Sequence, residues 1–293
     1  STFILEKLIM IEIKKQSLSE TFSVYFDKRM LRILLLGAIS GFPWVLIGSS
    51  LSLWLKEEGL SRSTIGWAGL IFAVYAFNYL WAPIIDRVNK FSQIIGFALI
   101  LFAITLPISS LFSNLEFNFS YYYVLRSLFF VIMGGIFLRT NLFSKLNELS
   151  TYLGHRRTWI ISMQFIILIC LMCWYFFSPT ANLPLVITIG LIIAIASATQ
   201  DITVDALRIE QIGEDESKSM AAGAAMAVVG WWSGYKLGGV IALFTAQYLE
   251  NIGIINYWQI TFLILGIVVI LMNIGLMFVH EPSSADRQLK QKE

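Results

Sequence analysis

Ser197-Ala-Thr-Gln-Asp-Ile-Thr-Val-Asp-Ala-Leu-Arg208 puts two carboxylates on the end of an otherwise apolar run, and that placement governs how the rest of the chain is read. The residues before it, Pro184 to Ala196, carry no charge. As one helix rising ~1.5 Å per residue, Pro184–Leu207 is long enough to cross a ~30 Å hydrocarbon core. Asp201 and Asp205 then lie four apart on one face. Carboxylates at that depth are costly against lipid, so they point into a bundle or a watery cavity and mark a pathway or a gate. A plainer reading of Asp205 is that Arg208, three residues on, neutralises it at the membrane surface.

Outward from this stretch, composition sets the class. The chain is 57% hydrophobic and only 14% charged over 293 residues, with a mean hydropathy of +0.73, which no ordinary soluble domain of this size matches. It reads as an all-α polytopic membrane protein whose first partner is the lipid bilayer. A formal charge of +2 gives no ground for a nucleic-acid partner. Cys170 and Cys173 sit inside one apolar helix, where a C-x-x-C pair has no polar context for redox chemistry, so both are expected to pack. The first residues lack the basic, apolar, small-residue order of a cleavable signal, and Met10 is a candidate start.

Eight apolar runs are expected to span, the third and fourth either as full spans or as a re-entrant hairpin: Leu31–Leu55, Ile65–Ile85, Phe91–Phe112, Tyr121–Leu138, Thr158–Phe177, Pro184–Leu207, Met220–Leu249 and Tyr257–Val279. None alternates as a barrel strand would, so all are expected to be helices. Phe3–Ile13 is shorter and interrupted by charge, which suits an interfacial helix at most. Threaded with the N-terminus inside, the spans put all of the 21 basic residues except Lys56, Arg62, Arg126 and Lys236 on the cytoplasmic side. The positive-inside rule then places both termini in the cytoplasm. Trp54, Tyr121 to Tyr123, Trp159 and Tyr257-Trp258 lie near helix ends, where interfacial aromatic belts occur.

Four further features carry chemistry. Leu36-Gly-Ala-Ile-Ser-Gly-Phe-Pro43 combines close-packing residues with a bend, useful in a rocking helix and equally explained by packing. Tyr79-Leu-Trp-Ala-Pro-Ile-Ile-Asp86-Arg87 ends in a charge pair that Gly154-His-Arg-Arg157 can meet, either as a breakable network or as topogenic charge alone. Asn78 lies within the core and faces a pathway or bonds a neighbouring helix. Gly230, Gly234 and Gly238 form a packing ladder that structure alone explains. Lys236, ~24 Å above Met220, is too far from Asp201, ~10 Å above Leu207, for direct pairing; it snorkels or meets an anionic group in a cavity. No P-loop, G-x-S-x-G or metal cluster occurs, so neither an enzyme nor a cofactor is expected.

Together these residues resemble the AmpG-like permeases of the major facilitator superfamily, a family that also includes acetyl-CoA transporters. The resemblance runs through Leu36–Pro43, Thr64-Ile-Gly66, Tyr79–Arg87, Gly154-His-Arg-Arg-Thr-Trp159 with Gln164, Ser197–Asp201 with Asp205, Gly234-Tyr-Lys-Leu-Gly238 and Glu281-Pro282, and covers most of residues 30–90 and 145–282. It implies a proton-coupled importer of anhydro-muropeptides in a bacterial inner membrane, acting in peptidoglycan recycling. Asp201 and Asp205 would be proton-linked or gating carboxylates of the inner vestibule. Lys236, Asn78, Gln164 and Gln200 would line the substrate cavity, with Asn78 where relatives often carry lysine. Asp86, Arg87, Arg156 and Arg157 would form the cytoplasmic gate. The implied fold is the N-terminal six-helix half of a facilitator, residues 30–282, with an inserted two-helix hairpin at 89–144. Residues 1–29 would precede it in the cytoplasm and 283–293 would form a tail or the start of a linker. Facilitators rock two halves about a midplane site, so a C-terminal half or a second chain is a further expected partner. Transport of acetyl-CoA or another small molecule, or a non-transporting membrane subunit, stand as alternatives.

Overall fold

The computed structural model describes residues 23–113, 121–140, 144–212 and 217–281. The interfacial helix expected at Phe3–Ile13 and the tail 283–293 lie outside the described residues. Within them every regular element is helical, as expected of a backbone that must satisfy its own hydrogen bonds in lipid. Helix α1, Lys28–Glu57, starts at Asp27, whose carboxylate accepts from the Arg29 backbone N–H at 2.8 Å. The Arg29 side chain also donates to that carboxylate and holds it below the usual carboxylate range. Past Pro43, which has no N–H to give, α1 widens into a π-helical turn at Val45–Ser50.

Helix α2, Arg62–Leu80, tightens into 3₁₀ geometry at Gly69–Ala73 and Asn78–Leu80. The run expected as one span over 65–85 therefore breaks at Trp81 and resumes as α3, Ala82–Arg87, with Pro83 in its first turn. There follow α4, Phe91–Ser113, α5, Tyr121–Arg139, and the unanticipated amphipathic α6, Ser144–Leu153. The rest is α7, His155–Tyr175, α8, Pro179–Glu210, α9, Ser217–Asn251, and α10, Tyr257–Leu276. α8 carries a kink at Asn182, just ahead of Pro184. Among the described residues, α1, α2, α7, α8, α9 and α10 are long and apolar enough to cross a membrane.

Two seams of small residues set the packing. A Cβ on Gly41 or Gly234 would come within 2.1 Å of the Trp231 carbonyl oxygen or 2.2 Å of the Ala38 carbonyl oxygen, so the backbones of α1 and α9 touch. That close approach maximises dispersion where lipid removes most of the hydrophobic drive. Helices α4 and α5 pair antiparallel in the same way, Gly96 facing Gly134 and Ser127 donating to the Ala103 carbonyl at 2.9 Å. Phe97 of α4 meets Trp159 of α7 edge-on at 5.7 Å, joining this pair to the main bundle.

The bundle core holds Trp54, Trp174 and Phe262, mutually 4.7–5.9 Å apart. The belt expected from Trp54, Trp159 and Trp258 is thereby corrected: all three are at most 2% exposed. Their indole N–H groups find partners inside the protein, on Glu58 at 3.2 Å, on the Val88 carbonyl at 2.8 Å and on Glu57 respectively. A satisfied N–H removes the reason for a tryptophan to sit at the headgroup level. Cys170 is buried in the same core and Cys173 packs beside it, both unpaired, as expected of packing cysteines.

Candidate functional site

Polar chemistry within the bundle gathers on α8. Ser197, Thr199, Gln200, Asp201 and Thr203 follow one another there, and all but Asp201 are fully buried. The Asp201 carboxylate accepts a hydrogen bond from the Ser40 hydroxyl of α1. One residue earlier, the Gln200 amide donates to the Ile39 carbonyl at 2.8 Å. On α2, the Tyr75 hydroxyl donates to Ser197 at 2.7 Å, and between α2 and α3 the Trp81 indole donates to Thr199 at 3.0 Å. A serine or threonine hydroxyl small enough to bond back within its own helix can also accept from a neighbour, which is why these types recur along the seam. α8 is thus hydrogen-bonded to α1 on one side and to α2 on the other.

Asp201 and Asp205 separate in character. Asp205 is 68% exposed and its carboxylate pairs with the Arg208 guanidinium at 3.2 Å, the plainer of the two arrangements foreseen for it. Asp201 has no ion pair among the described residues and lies a turn deeper. A lone carboxylate with only neutral donors keeps a free choice between its charged and protonated forms, because no fixed cation locks it as an anion.

The charged end of the bundle is a second cluster. The Arg156 guanidinium meets Asp86 of α3 at 2.7 Å and Glu210 of α8 at 3.3 Å. Glu281 caps the start of α7, accepting from the backbone N–H groups of Arg156 and Arg157 at 2.9 Å each. A carboxylate there satisfies two orphan donors and meets the positive end of the helix dipole. Gly154 makes this approach feasible: its φ is +97°, and a Cβ would stand 2.5 Å from the Glu281 carboxylate. Arg156 therefore ties the ends of α3, α7 and α8 together, while Glu281 brings in the chain that follows α10. Asp86 and Arg156 of the expected gate are brought together; Arg157 joins through its backbone N–H on Glu281, while its side-chain Nε is buried and donates to nothing among the described residues. Arg87 ends α3 beside them without an ion pair among the described residues. Glu210 and Glu281 are the members that sequence reasoning did not assign; an acidic residue at a helix end facing the basic Gly154–Arg157 stretch was the available signal.

The remaining candidates are dispersed. Lys236 of α9 is exposed, its ammonium 5.7 Å from the Trp232 ring centre and 5.8 Å from that of Tyr235. It makes no pair with Asp201, as the depth count required. Asn78 is half-buried on the second 3₁₀ turn of α2. Gln164 is buried on α7, and the side-chain carbonyls of Gln164 and Gln200 accept no hydrogen bond among the described residues. No group of three or more metal-binding side chains occurs among them either.

A bundle of six membrane-length helices, with its polar groups on one inner helix and one end tied by ion pairs, defines a multi-pass helical membrane protein. The Major Facilitator Superfamily profile matches residues 145–293, a little over half of the chain, and the chain belongs to that superfamily. It is 26% identical over 258 residues to the putative transporter AmpG 4 of Rickettsia felis, covering 88% of this chain and 47% of that protein. It is 23% identical over 265 residues to the anhydromuropeptide permease of Escherichia coli K12, covering 90% of this chain and 40% of the relative. An uncharacterized protein of Haemophilus influenzae is 25% identical over 241 residues, covering 82% of this chain and 40% of that protein. The chain spans about half the length of the curated relatives it matches.

Proposed function

We propose that the protein is one helical half of a proton-coupled importer that carries anhydro-muropeptides across a bacterial inner membrane for peptidoglycan recycling. The observation that carries this reading is Asp201: a carboxylate within a membrane-length helix, hydrogen-bonded to the Ser40 hydroxyl and free of any ion pair among the described residues. Such a group binds a proton from one side and releases it to the other when the surrounding helices move. The name of one relative, the anhydromuropeptide permease of Escherichia coli K12, supplies the substrate class, and that of another, the putative transporter AmpG 4 of Rickettsia felis, agrees with transport.

In this reading the charged end is cytoplasmic, as the positive-inside rule gives it, and both termini lie on that side. Asp86, Arg87, Arg156 and Arg157, joined by Glu210 and Glu281, hold the inward gate shut, and opening it requires Arg156 to leave two carboxylates at once. Asp205 belongs to the vestibule rim with Arg208. Lys236, Asn78, Gln164 and Gln200 serve the cavity. Residues 89–144 are an insertion relative to the family, and their helices α4 and α5 pair with each other beside α7 and α8. A second helical unit completes the path.

The test is uptake of a labelled anhydro-muropeptide into proteoliposomes containing the chain with an imposed proton gradient, alone and with a supplied C-terminal half of a relative. Gradient-dependent uptake in either format supports the proposal. Well-folded protein that takes up nothing in both formats overturns it in favour of a non-transporting membrane subunit.

A further inference from the structure

Helix α6 carries its polarity reversed. It buries Asn147, Ser150 and Leu153, and the two polar members of that face are bonded there. The Asn147 side chain accepts from the Ser92 backbone N–H and donates to the Ser92 hydroxyl, each at 3.1 Å. The Ser150 carbonyl accepts from the Thr158 hydroxyl of α7 at 3.4 Å. Outward stand Leu149, 44% exposed, and Tyr152, 83% exposed. At about 100° per residue the outward arc divides in two. Thr151, Ser144 and Glu148 share a polar half, and Tyr152, Lys145 and Leu149 follow one another within about 60° on the other; all six are exposed. Single exposed apolar side chains are ordinary. A helix with one sector on protein, one polar, and a third that is apolar apart from one lysine meets three surroundings. The same end of the molecule gathers positive charge. Lys145 and Lys90 each lie two residues before a member of the Asn147–Ser92 contact. Arg139 closes α5 five residues past Gly134, level with the start of α4 five residues before Gly96. All three basic residues are exposed.

We infer that α6 is a membrane-surface anchor: Leu149 and Tyr152 lie in the headgroup layer at the charged end of the bundle, and Lys90, Arg139 and Lys145 hold the phosphates of anionic phospholipids there. Position and chemistry agree on this occupant. α6 runs between the end of α5 and the start of the membrane-length α7, where headgroups begin, and its ten residues are too few to span. Water alone leaves the leucine and tyrosine sector uncovered, whereas an amphipathic helix in the interface buries such a sector shallowly among acyl chains and headgroups. Lys145 suits its place among them, because its stem can follow the lipid while the ammonium reaches a phosphate. A tyrosine at headgroup level keeps its ring in the apolar layer and its hydroxyl in water. Three cations with Glu148 turned to the polar half favour an anionic surface over a zwitterionic one. A free phosphate would satisfy the charges and leave Leu149 bare. The inference does not depend on transport. It does bear on the charge cluster: Gly154 alone separates α6 from α7, so headgroups that hold α6 also fix the turn on which Arg156 meets Asp86 and Glu210.

The test uses the full chain in a cysteine-free background, with bimane on Leu149→Cys or on Thr151→Cys, in nanodiscs of phosphatidylcholine alone or with an equal part of phosphatidylglycerol. Quenching is read from a lipid bearing a nitroxide near its headgroup and from aqueous acrylamide. The Leu149→Cys label should be quenched by the nitroxide lipid about twofold more than the Thr151→Cys label, and adding phosphatidylglycerol should raise that quenching about twofold again. Arg139→Gln with Lys145→Gln should abolish the rise while leaving the melting curve in detergent unchanged. Should Leu149→Cys fail to fold, Tyr152→Cys reports on the same sector. Acrylamide quenching that is equal at Leu149→Cys and Thr151→Cys, with none from the nitroxide lipid, places the sector in water and overturns the inference. Protection of Leu149→Cys from both quenchers shows that a protein surface covers it and overturns the inference as well. Nitroxide quenching that ignores phosphatidylglycerol, or a rise reproduced in phosphatidylcholine by inorganic phosphate, overturns the assignment of anionic lipid.

Discussion

At the level of single residues, Gly154 and Asp201 carry the most consequence for their size. Gly154 adopts a positive φ that other residues resist and leaves the space that the Glu281 carboxylate fills. Replacing it by alanine adds backbone strain and drives the carboxylate off two backbone N–H groups. Gly154→Ala is expected to destabilise the protein by about 2–4 kcal/mol, seen as a lowered melting temperature in detergent. An unchanged melting curve in that variant would show that Glu281 is not held there. Asp201→Asn tests the other residue. The amide keeps the shape and can still accept from Ser40, so folding should be preserved while pH-gradient-driven uptake disappears; gradient-driven transport at the wild-type rate would remove Asp201 from the proton path. Asp201 was legible because it interrupts a charge-free helix. Its partner was not, since nothing in Ser40 distinguishes it from the other serines of span one until α1 and α8 are side by side.

Among the helices, the α1–α9 contact separates glycines that the sequence presents alike. A methyl at Gly234 would stand 2.2 Å from the Ala38 carbonyl oxygen, whereas one at Gly239 on the same helix would meet nothing within 4 Å. Gly234→Ala must push the two backbones apart and is expected to cost about 1–3 kcal/mol. Gly239→Ala removes a flexible residue from a helix interior at no steric cost and should be neutral or stabilising by about 0.5–1 kcal/mol. Thermal unfolding of the two variants side by side decides it, and equal effects would mean that the seam is looser than it stands. The helices themselves were readable from hydropathy, two of them at their first residue: α4 begins at Phe91 and α10 at Tyr257, as expected, whereas α8 begins at Pro179, five residues ahead of the expected Pro184. What hydropathy missed has physical causes. Backbone hydrogen-bond shifts, such as the π turn after Pro43 and the 3₁₀ turns of α2, leave apolar content unchanged. α6 is too polar to register as a span and too short to register otherwise. The indoles of Trp54, Trp159 and Trp258 were placed at the interface because a helix-end tryptophan looks the same whether its N–H meets a headgroup or a carboxylate from another helix.

For the molecule as a whole, the orientation expected from the positive-inside rule can be read out directly. Tyr152, 83% exposed beside the charged end, and Ile255, 90% exposed in the turn between α9 and α10, lie at opposite ends of the bundle. Single cysteines introduced at these positions in a cysteine-free background should react with an impermeant maleimide from the cytoplasmic and the outer side respectively. Labelling of both from one side would overturn the threading of the spans.

The pairing of α4 with α5 has a kinetic corollary. Asp86 and Arg156 meet at 2.7 Å although 70 residues of chain separate them. Closing a loose loop of that length is entropically slower and less favourable than closing a short one. The Gly96–Gly134 seam folds most of the intervening chain back on itself through local contacts, which form early. The span left to close is then little more than α6 and its flanking residues. The helical pair thus works as a chain-shortener: by holding α4 against α5 it brings the ends of a 70-residue separation within reach of each other, so that the Asp86–Arg156 contact bears the closure cost of a short loop instead of a long one.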